Sequence, residues 1–454
     1  MQADRMRALL EQVFERTRRL AVGLGIGRSG GPGEASAEMG VARLMTLVGG
    51  LLSERSQSTG VDLATRVLAA YGALDAAGKA AFLVRLSTDF GPDPDAIEQA
   101  WRGYCQSPSV NALRLVTGAA EPPRQEILRR LNHAPFATGA LVSMRADLLR
   151  IMPDNPDLRA LEDDLVHLLR SWFNRGFLVM RRIDWGSPAD LLERIIHYEA
   201  VHSIGTWDEL RDRLRPQDRR CYGFFHPAMA DEPLIFVEVA LTEGIPDSIQ
   251  SLLAPDRKSL SVGQARTAVF YSISNCQAGL AGISFGNFLI KQVVEDLSHE
   301  LPGLDTFVTL SPVSGFMRWL RQQADAGDLA ASASLADQES LSGLPAGDAR
   351  AKARLALAAR YYLDTDDGRG RPVDPVARFH LGNGARLERL CWLGDTSPKG
   401  MAQAGGLMVN YLYDLDTVEA NHAAYARNGT VAASAAMREL LVPSAPPRRE
   451  RLTA

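Results

Sequence analysis

The chain has 454 residues, of which 46% are hydrophobic and 23% are charged, and this length predicts two or three domains. The composition is ordinary for a folded globular protein and excludes a mostly disordered chain, a collagen-like fibre and a coiled-coil rod. The 50 basic and 54 acidic residues give a formal net charge of −4, so no overall basic field would attract nucleic acid.

The sequence also carries signals about membranes and redox compartment. No stretch approaches the roughly 18 apolar residues that a spanning helix needs, so we expect no membrane association. The first residues carry acidic side chains and lack an apolar signal core, which favours a cytoplasmic protein. The four cysteines lie far apart and at no metal-ligand spacing, which indicates a reducing compartment and no metal site. They are Cys105, Cys221, Cys276 and Cys391.

The first third of the chain is predicted to be helical. Apolar residues recur at helical spacing over Leu9–Leu20, and a Gly/Ser-rich loop is predicted over 23–40. Further helices, separated by prolines, are predicted at about 41–55, 60–73, 76–87, 93–106, 124–132, 137–151 and 157–174. We therefore predict an all-helical bundle domain over residues 1–172 that packs on itself or on a partner, with no evident chemistry.

Beyond residue 173, short apolar runs typical of strands alternate with helical segments. Strands are predicted at about 177–180, 221–226, 234–241, 267–274 and 306–310, and helices at about 187–201 and 207–213. Residues 325–360 are predicted to be inserted surface helices, and residues 443–454 a frayed polar tail. The chain is thus predicted to be α+β, with a mixed α/β domain over 173–454 after the helical domain.

The most informative segment is Ser272–Asn287, where a predicted strand enters a glycine-rich turn and a helix leaves it. Glycines at 279, 282 and 286 let the backbone approach a ligand closely, and the N-terminus of the helix favours an anion such as a phosphate or pyrophosphate. The segment matches neither the Walker A motif nor the dinucleotide fingerprint. A tight turn without a ligand, with Ser284 and Asn287 as helix caps, is equally compatible with the pattern.

Two further residues are candidates for chemistry. Ser311 stands where a predicted strand ends and a helix is about to begin, a position where α/β sheets bind ligands, although a turn or N-cap serine is the commoner case. His380 follows an alternating run and precedes a Gly-Asn-Gly turn. Imidazole titrates near neutrality and is a common general acid or base, although most lone histidines are structural. His226 is the rival candidate, and His197, His202, His299 and His422 rank lower.

Taken together, several segments resemble the malonyl-CoA decarboxylase family in order and spacing. The resemblance is strong over about 173–430, whereas the first third matches mainly as a helical domain. The matching segments are Phe225–Pro227, Glu232–Thr242, Ser272–Gly286, Phe288–Lys291, Leu310–Phe316, Phe379–Gly384 and Gly405–Tyr411.

This resemblance implies a catalytic domain of the GNAT acetyltransferase type that converts malonyl-CoA to acetyl-CoA and carbon dioxide, as a carboxy-lyase of fatty acid metabolism. Ser311 and His380 match the family's catalytic serine and histidine, and the loop Gly279–Asn287 would hold the CoA pyrophosphate. Ser284 and Asn287 occupy variable positions, so the contacts expected there are those of the backbone. The implied binding residues are Gly279, Ala281, Gly282, Ile283, Ser284, Phe285, Gly286, Asn287, Ser311 and His380. A missing peroxisomal signal favours a bacterial form.

The chemistry of the implied reaction assigns provisional roles to these residues. Loss of carbon dioxide from a malonyl thioester leaves an enolate, whose oxygen needs stabilisation and whose carbon needs a proton. We expect His380 to donate a hydrogen bond or proton, and Ser311 to position the carboxylate or bridge to His380. The thioester is its own electron sink, so we expect no metal and no cofactor.

Two other functions remain open at this stage. A GNAT-type acyltransferase would use the same loop but would require an acceptor, and a non-catalytic CoA-binding scaffold would bind CoA without turnover. A long helical domain also suggests self-association, so we predict a homodimer or homotetramer to which the helical domain contributes.

Overall fold

The structure is a computed structural model that describes residues 34–283, 289–336, 338, 340–365, 367–368 and 370–441. The described chain forms two compact units. The first contains the described residues up to 134 together with 154–158, and the second contains 135–153 together with the chain from 159 onward. The helix predicted around Leu9–Leu20, most of the loop predicted over 23–40 and the predicted tail at 443–454 lie outside the described residues.

The first unit is helical. Its helices are α1 (Glu34–Ser53), α2 (Gln57–Gly72), α3 (Ala76–Asp89), α4 (Pro94–Gln106), α5 (Val110–Ala120) and α6 (Pro123–Leu131). Asp75, Asp93 and Ser109 cap α3, α4 and α5 by accepting hydrogen bonds from first-turn N–H groups. The core is formed by fully buried apolar side chains, among them Val48, Leu51, Phe82, Leu83, Leu86 and Ile127.

Two predictions for this unit need correction. The loop predicted to reach residue 40 ends earlier, because α1 already begins at Glu34. Helix α5 was not predicted. Its N-cap Ser109 is a recognisable start signal, but α5 buries no side chain, so its apolar residues do not form the inward-facing stripe on which a helical pattern depends.

The second unit begins with two helices, α7 (Ala137–Ile151) and α8 (Arg159–Trp172), which the sequence assigned to the helical domain. A mixed sheet follows. Its strands are β1 (Val179–Ile183), β2 (Arg219–His226), β3 (Met229–Thr242), β4 (Thr267–Asn275), β5 (Thr306–Thr309), β6 (Ser311–Pro312), β7 (Arg386–Cys391) and β8 (Met408–Leu412). The predicted α+β class and the order of its two parts are confirmed.

The order of strands in the sheet is β1-β2-β3-β4-β5-β8-β6, and β7 also pairs with β8. All pairs are antiparallel except β4 and β5, which are parallel and joined by a crossover containing a helix. Such a crossover is needed because parallel neighbours cannot be joined by a tight hairpin. The helices of this part are α9 (Ala189–Tyr198), α10 (Trp207–Leu214), α11 (Ile249–Leu253), α12 (Leu289–Glu300), α13 (Phe316–Asp325), α14 (Leu329–Ala336), α15 (Ala349–Leu363), α16 (Pro375–Gly382), α17 (Pro398–Ala404), α18 (Val418–Asn428) and α19 (Ala435–Glu439).

Strands β4 and β5 separate part-way along their length, and this positions the candidate site. They pair only from Thr267↔Thr306 to Phe270↔Thr309. Beyond that point β4 continues to Asn275, whereas the chain after β5 forms β6 against β8. A register shift at Glu238/Val239 in the β3–β4 pairing lies at the same level. The diverging strands leave space between them at their carboxyl ends.

Two helices of the second unit also differ from expectation. Residues 325–360 were predicted to be surface helices, but much of α15 is buried, including Arg354, Leu357 and Ala358. His380 follows an alternating pattern yet lies in helix α16, which Asp374 caps and Pro375 begins. Across the described ranges, no helix is both long and apolar enough to cross a membrane.

Candidate active site

A cavity of about 520 Å³ occupies the space where β4 and β5 separate. Its walls are the end of β4, the β6 segment, the chain after α9, and helices α16 and α17. Phe270, Ile273 and Phe379 give it apolar walls, and both Ser311 and His380 line it. The cavity thus combines a mostly apolar lining with a few polar groups, as small-molecule sites do.

Ser311 is held by the short strand β6. Its backbone pairs with Val409 of β8, and its side chain is only 8% exposed. The hydroxyl donates a hydrogen bond to Oγ1 of Thr309 at 3.0 Å. That same oxygen accepts the backbone N–H of Tyr411 at 3.2 Å, so the threonine is itself fixed by β8. Ser311 is therefore a cavity-facing hydroxyl at the end of a strand, and the helix that follows is preceded by Gly315 as its N-cap residue instead.

His380 is more deeply buried than Ser311. It is 3% exposed, its ring stacks on Tyr411 with a centroid distance of 4.5 Å, and its Nδ1 lies 2.7 Å from the hydroxyl of Tyr413. Burial lowers the pKa of His380 to about 3, because a charged imidazolium would lose its hydration. Burial also raises the pKa of Tyr413 well above its usual value, so the phenol keeps its proton. At neutral pH the pair is a neutral imidazole beside a neutral phenol.

Two charged residues, Asp395 and Lys399, also line the cavity. Lys399, on α17, donates hydrogen bonds to the backbone oxygens of Ala200 and Val201 in the chain that follows α9. Asp395 accepts hydrogen bonds from the side-chain amide of Gln250 and from the backbone N–H of Ser397, and the pKa of its carboxyl is lowered. Among the described residues of the lining, Lys399 is the one lysine or arginine.

The glycine-rich turn follows β4 directly. Residues Ala278–Leu280 form one turn of 3-10 helix, and Gly282 has a φ of +73°, in the left-handed region that glycine tolerates best. The predicted binding residues Gly279, Ala281 and Ile283 lie in this described part. Four other predicted residues of the loop lie outside the described residues, namely Ser284, Phe285, Gly286 and Asn287.

Comparison with known proteins identifies the family. Residues 176–451 match the malonyl-CoA decarboxylase C-terminal domain, and residues 90–173 match the malonyl-CoA decarboxylase N-terminal domain. The chain belongs to the malonyl-CoA decarboxylase family. The expectations of family and of enzyme class, a carboxy-lyase, are thereby confirmed.

Relatives of this family match over most of the chain. The mitochondrial malonyl-CoA decarboxylase of Rattus norvegicus is 34% identical over 404 residues, 80% of this chain and 82% of the rat protein. The enzyme of Anser anser anser is 37% identical over 336 residues, 67% of this chain and 66% of the goose protein. Crystal structures of malonyl-CoA decarboxylases from Rhodopseudomonas palustris and Agrobacterium vitis are also similar. The first is 54% identical to this chain, with a TM-score of 0.83, and the second is 51% identical, with a TM-score of 0.82. Each match covers 88% of this chain, together with 99% of the first solved chain and 100% of the second.

The two matches to decarboxylase domains meet near residue 173, close to the predicted domain boundary at 172. The division into compact units falls earlier, after residue 134, because α7 and α8 pack with the sheet-containing unit. The boundary predicted at 172 therefore stays a prediction.

The structure brings some of the predicted decarboxylase residues together and separates others. Ser311 and His380 line one cavity, although each hydrogen-bonds to another residue in the described chain and not to its counterpart. Gly279–Ile283 follows the strand that forms one wall of this cavity but does not line it. The rival His226 is absent from that lining too. Its Nε2 lies 3.1 Å from the backbone oxygen of Trp172, and its Nδ1 accepts the N–H of Ala228.

Sequence reasoning missed three residues that support the candidate site. Thr309 and Tyr413 hold Ser311 and His380, and Arg145 on α7 contacts the glycine-rich turn. Tyr413 directly follows β8, so recognising β8 as a strand beside β5 would have drawn attention to this tyrosine. Nothing in the local sequence around Arg145 marks its partner 134 residues away.

Proposed function

We propose that this chain decarboxylates malonyl-CoA to acetyl-CoA and carbon dioxide, with His380 and Ser311 acting on the acyl group. The observation that supports the proposal is that both side chains line one cavity, in a chain of the malonyl-CoA decarboxylase family. In the reaction the bond between the α-carbon and the carboxylate breaks. Its electron pair enters the thioester as an enolate, carbon dioxide leaves, and the α-carbon then takes up one proton, which solvent water supplies.

His380 is proposed to stabilise the enolate as a neutral hydrogen-bond donor. With the Tyr413 hydroxyl donating to Nδ1, the ring proton lies on Nε2, the nitrogen left to face a substrate. A donor fixed in advance in a dry site stabilises a developing oxyanion better than water, which must reorient. A buried imidazole whose pKa is about 3 is a hydrogen-bond donor at neutral pH and not an imidazolium acid.

Ser311 is proposed to position the malonyl carboxylate before it leaves. Its hydroxyl donates to Thr309 in this structure, and a rotation about the C–O bond redirects the proton to a substrate oxygen without moving heavy atoms. The apolar walls from Phe270, Ile273 and Phe379 remove water from the carboxylate. Loss of hydration favours conversion of the carboxylate to neutral carbon dioxide.

The CoA portion is proposed to bind at the turn after β4. The turn precedes α12 in the chain, and backbone N–H groups at the N-terminus of a helix suit a pyrophosphate. Binding energy from this remote group holds the acyl end in the cavity. The thioester accepts the electron pair of the broken bond, so the proposed mechanism uses side chains and substrate alone.

The test is a decarboxylation assay with purified protein, malonyl-CoA, a metal chelator and no acyl acceptor, with acetyl-CoA followed by mass spectrometry. Rapid formation of acetyl-CoA supports the proposal. Malonyl-CoA that stays intact until an amine or carrier protein is added would instead identify an acyltransferase. Binding of CoA without turnover under either condition would identify a scaffold.

The proposed roles are tested with Ser311→Ala and His380→Asn. We expect kcat to fall by about 10²- to 10³-fold for His380→Asn, the usual range for loss of one oxyanion donor, with unchanged folding. His226→Gln is a matched control, because this histidine is also largely buried but does not line the cavity. Near-normal turnover in either active-site variant would remove that residue from the mechanism.

A further inference from the structure

Arg145 is a buried arginine whose guanidinium donates hydrogen bonds both to a carboxylate and to a loop. Its side chain is 3% exposed, and it makes a bidentate ion pair with Glu162 of α8, with N–O distances of 3.0 and 2.7 Å. The same guanidinium donates to the backbone oxygen of Gly279 at 2.6 Å and to that of Ala281 at 2.9 Å. One side chain thus connects two helices to the turn after β4.

The turn also lies directly against α7. A Cβ atom at Gly279 would stand 1.8 Å from the backbone oxygen of Val142, so only glycine permits this approach. Gly282 differs, because a Cβ atom there would meet no atom of the described residues within 4 Å. One glycine of the turn therefore faces the protein, and the other faces open space.

The arginine also fixes the direction of a peptide group. The C=O and N–H of a trans peptide point in opposite directions, and no described peptide bond in this chain is cis. The oxygen of Ala281 points at Arg145, so the N–H of Gly282 points away from it. The open space around Gly282 lies beside a backbone donor suited to an anion.

We propose that Arg145, held by Glu162, is a positioning residue for CoA recognition: it orients the Ala281–Gly282 peptide toward the phosphates of the substrate. The inference rests on the proposed function. It assigns to two helical residues the task of supporting the binding site, and neither is proposed to touch the substrate. Arginine suits this task because its planar fork serves the carboxylate and both carbonyl oxygens at once. Lysine offers one compact ammonium group and cannot reproduce that geometry.

The test uses Arg145→Lys and two substrates with the same acyl group. Malonyl-CoA reaches the turn, whereas the malonyl thioester of N-acetylcysteamine lacks the nucleotide and does not. We expect KM for malonyl-CoA to rise of the order of tenfold, because a displaced loop misplaces the bound group, while kcat stays within about threefold. The kcat/KM for the short thioester should be unchanged.

Arg220 offers a matched control within the same compact unit. It too makes a bidentate ion pair, with Glu300, and donates to the backbone oxygens of Gln217 and Arg219, but it makes no hydrogen bond to the described residues of the turn. Arg220→Lys should cost comparable thermal stability without changing KM for malonyl-CoA. Where Arg145→Lys does not fold, Glu162→Gln carries the same comparison, because it keeps the shape of the partner and removes its charge.

An unchanged KM for malonyl-CoA, or equal losses of kcat/KM with both substrates, would overturn the inference. Failure of the proposed function is a separate outcome, in which the wild-type protein itself does not decarboxylate malonyl-CoA. In that case calorimetric titration with CoA still tests the positioning role. We then expect weaker binding by Arg145→Lys than by Arg220→Lys, and equal binding would refute the role.

Discussion

At the scale of single residues, His380 illustrates how burial decides the chemistry of a side chain. Its pKa of about 3 lies far below the pH of the cell, so protonation does not control its state there. We therefore expect kcat for malonyl-CoA to show no acid limb near pH 6.5, the usual value for histidine. A profile of kcat from pH 5 to 8 checks this, and an inflection near 6.5 that disappears in His380→Asn would contradict it.

In the proposed mechanism, Tyr413 sets the tautomer of that imidazole. Tyr413→Phe removes the 2.7 Å hydrogen bond to Nδ1 while keeping the ring, so the proton on Nε2 is no longer fixed. We expect kcat to fall by roughly tenfold or more, with little change in KM, because the bound acyl group is unaffected. Tyr362→Phe is a suitable control, since that phenol is also buried but does not line the cavity. Equal kcat in Tyr413→Phe and wild type would remove the tyrosine from the mechanism.

At the scale of elements, Gly279 of the turn after β4 lies where there is no room for a side chain. Gly279→Ala forces a Cβ into the backbone of α7, so we expect a loss of about 1–3 kcal/mol of stability and a higher KM for malonyl-CoA. Thermal unfolding and steady-state kinetics measure the two effects. Gly263→Ala is the control, because a Cβ there meets nothing within 4 Å and the φ of Gly263 is not in the left-handed region. Unchanged stability in Gly279→Ala would contradict the close approach.

Sequence patterns predicted these elements unevenly, for physical reasons. Strands β2, β3 and β4 were recognisable because buried strands read as continuous apolar runs. Strand β8 was not, because Asn410 interrupts it. That amide is fully buried and donates to the backbone oxygen of Thr309, a partner 101 residues away. Helix α16 did carry local signals, Asp374 as N-cap and Pro375 as first residue, which outweigh the alternating pattern before His380.

The candidate site was predictable only where resemblance to the family supplied the residues. Ser311 and His380 are 69 positions apart in sequence, and no local rule brings them to one cavity. The strand pairing of β8 with β5 and β6 does so, together with the packing of α16. Arg145 and Tyr413 could not be predicted because their roles depend on partners that are remote in sequence.

At the scale of the whole molecule, buried histidines couple folding to pH. Burial lowers the pKa of His380 to about 3 and that of His202 to about 4, so each of these imidazoles binds more protons in the unfolded chain than in the folded chain below about pH 6.5. Their contribution to stability is present above pH 6.5 and is lost as the pH falls toward those values. Urea unfolding at pH 7.5 and 5 should show lower stability at pH 5. The double variant His202→Gln/His380→Gln should show a smaller difference, and an unchanged difference would contradict the assignment.

Self-association is the second prediction for the whole molecule. Within the first unit, α4 and α5 expose large apolar side chains, including Trp101, Leu113 and Leu115, each at least 50% exposed. Exposed apolar patches of this kind often mark protein interfaces, which agrees with the predicted homodimer or homotetramer. Sedimentation velocity should give a mass of two or four chains, and Leu113→Ser/Leu115→Ser should lower it. A monomer mass that does not depend on concentration would contradict the prediction.

The contact between Arg145 and the turn after β4 also has a consequence for how the protein matures during synthesis. Its hydrogen bonds close chain segments of 134 and 136 residues, and such contacts form late because a long loop must first be ordered. The ribosome releases α7 and α8 before any strand of the sheet. Arg145 and Glu162 are therefore present before the turn to which Arg145 donates its hydrogen bonds. If the turn binds CoA as proposed, this binding requires that the ribosome has first released β4 and the turn that follows it.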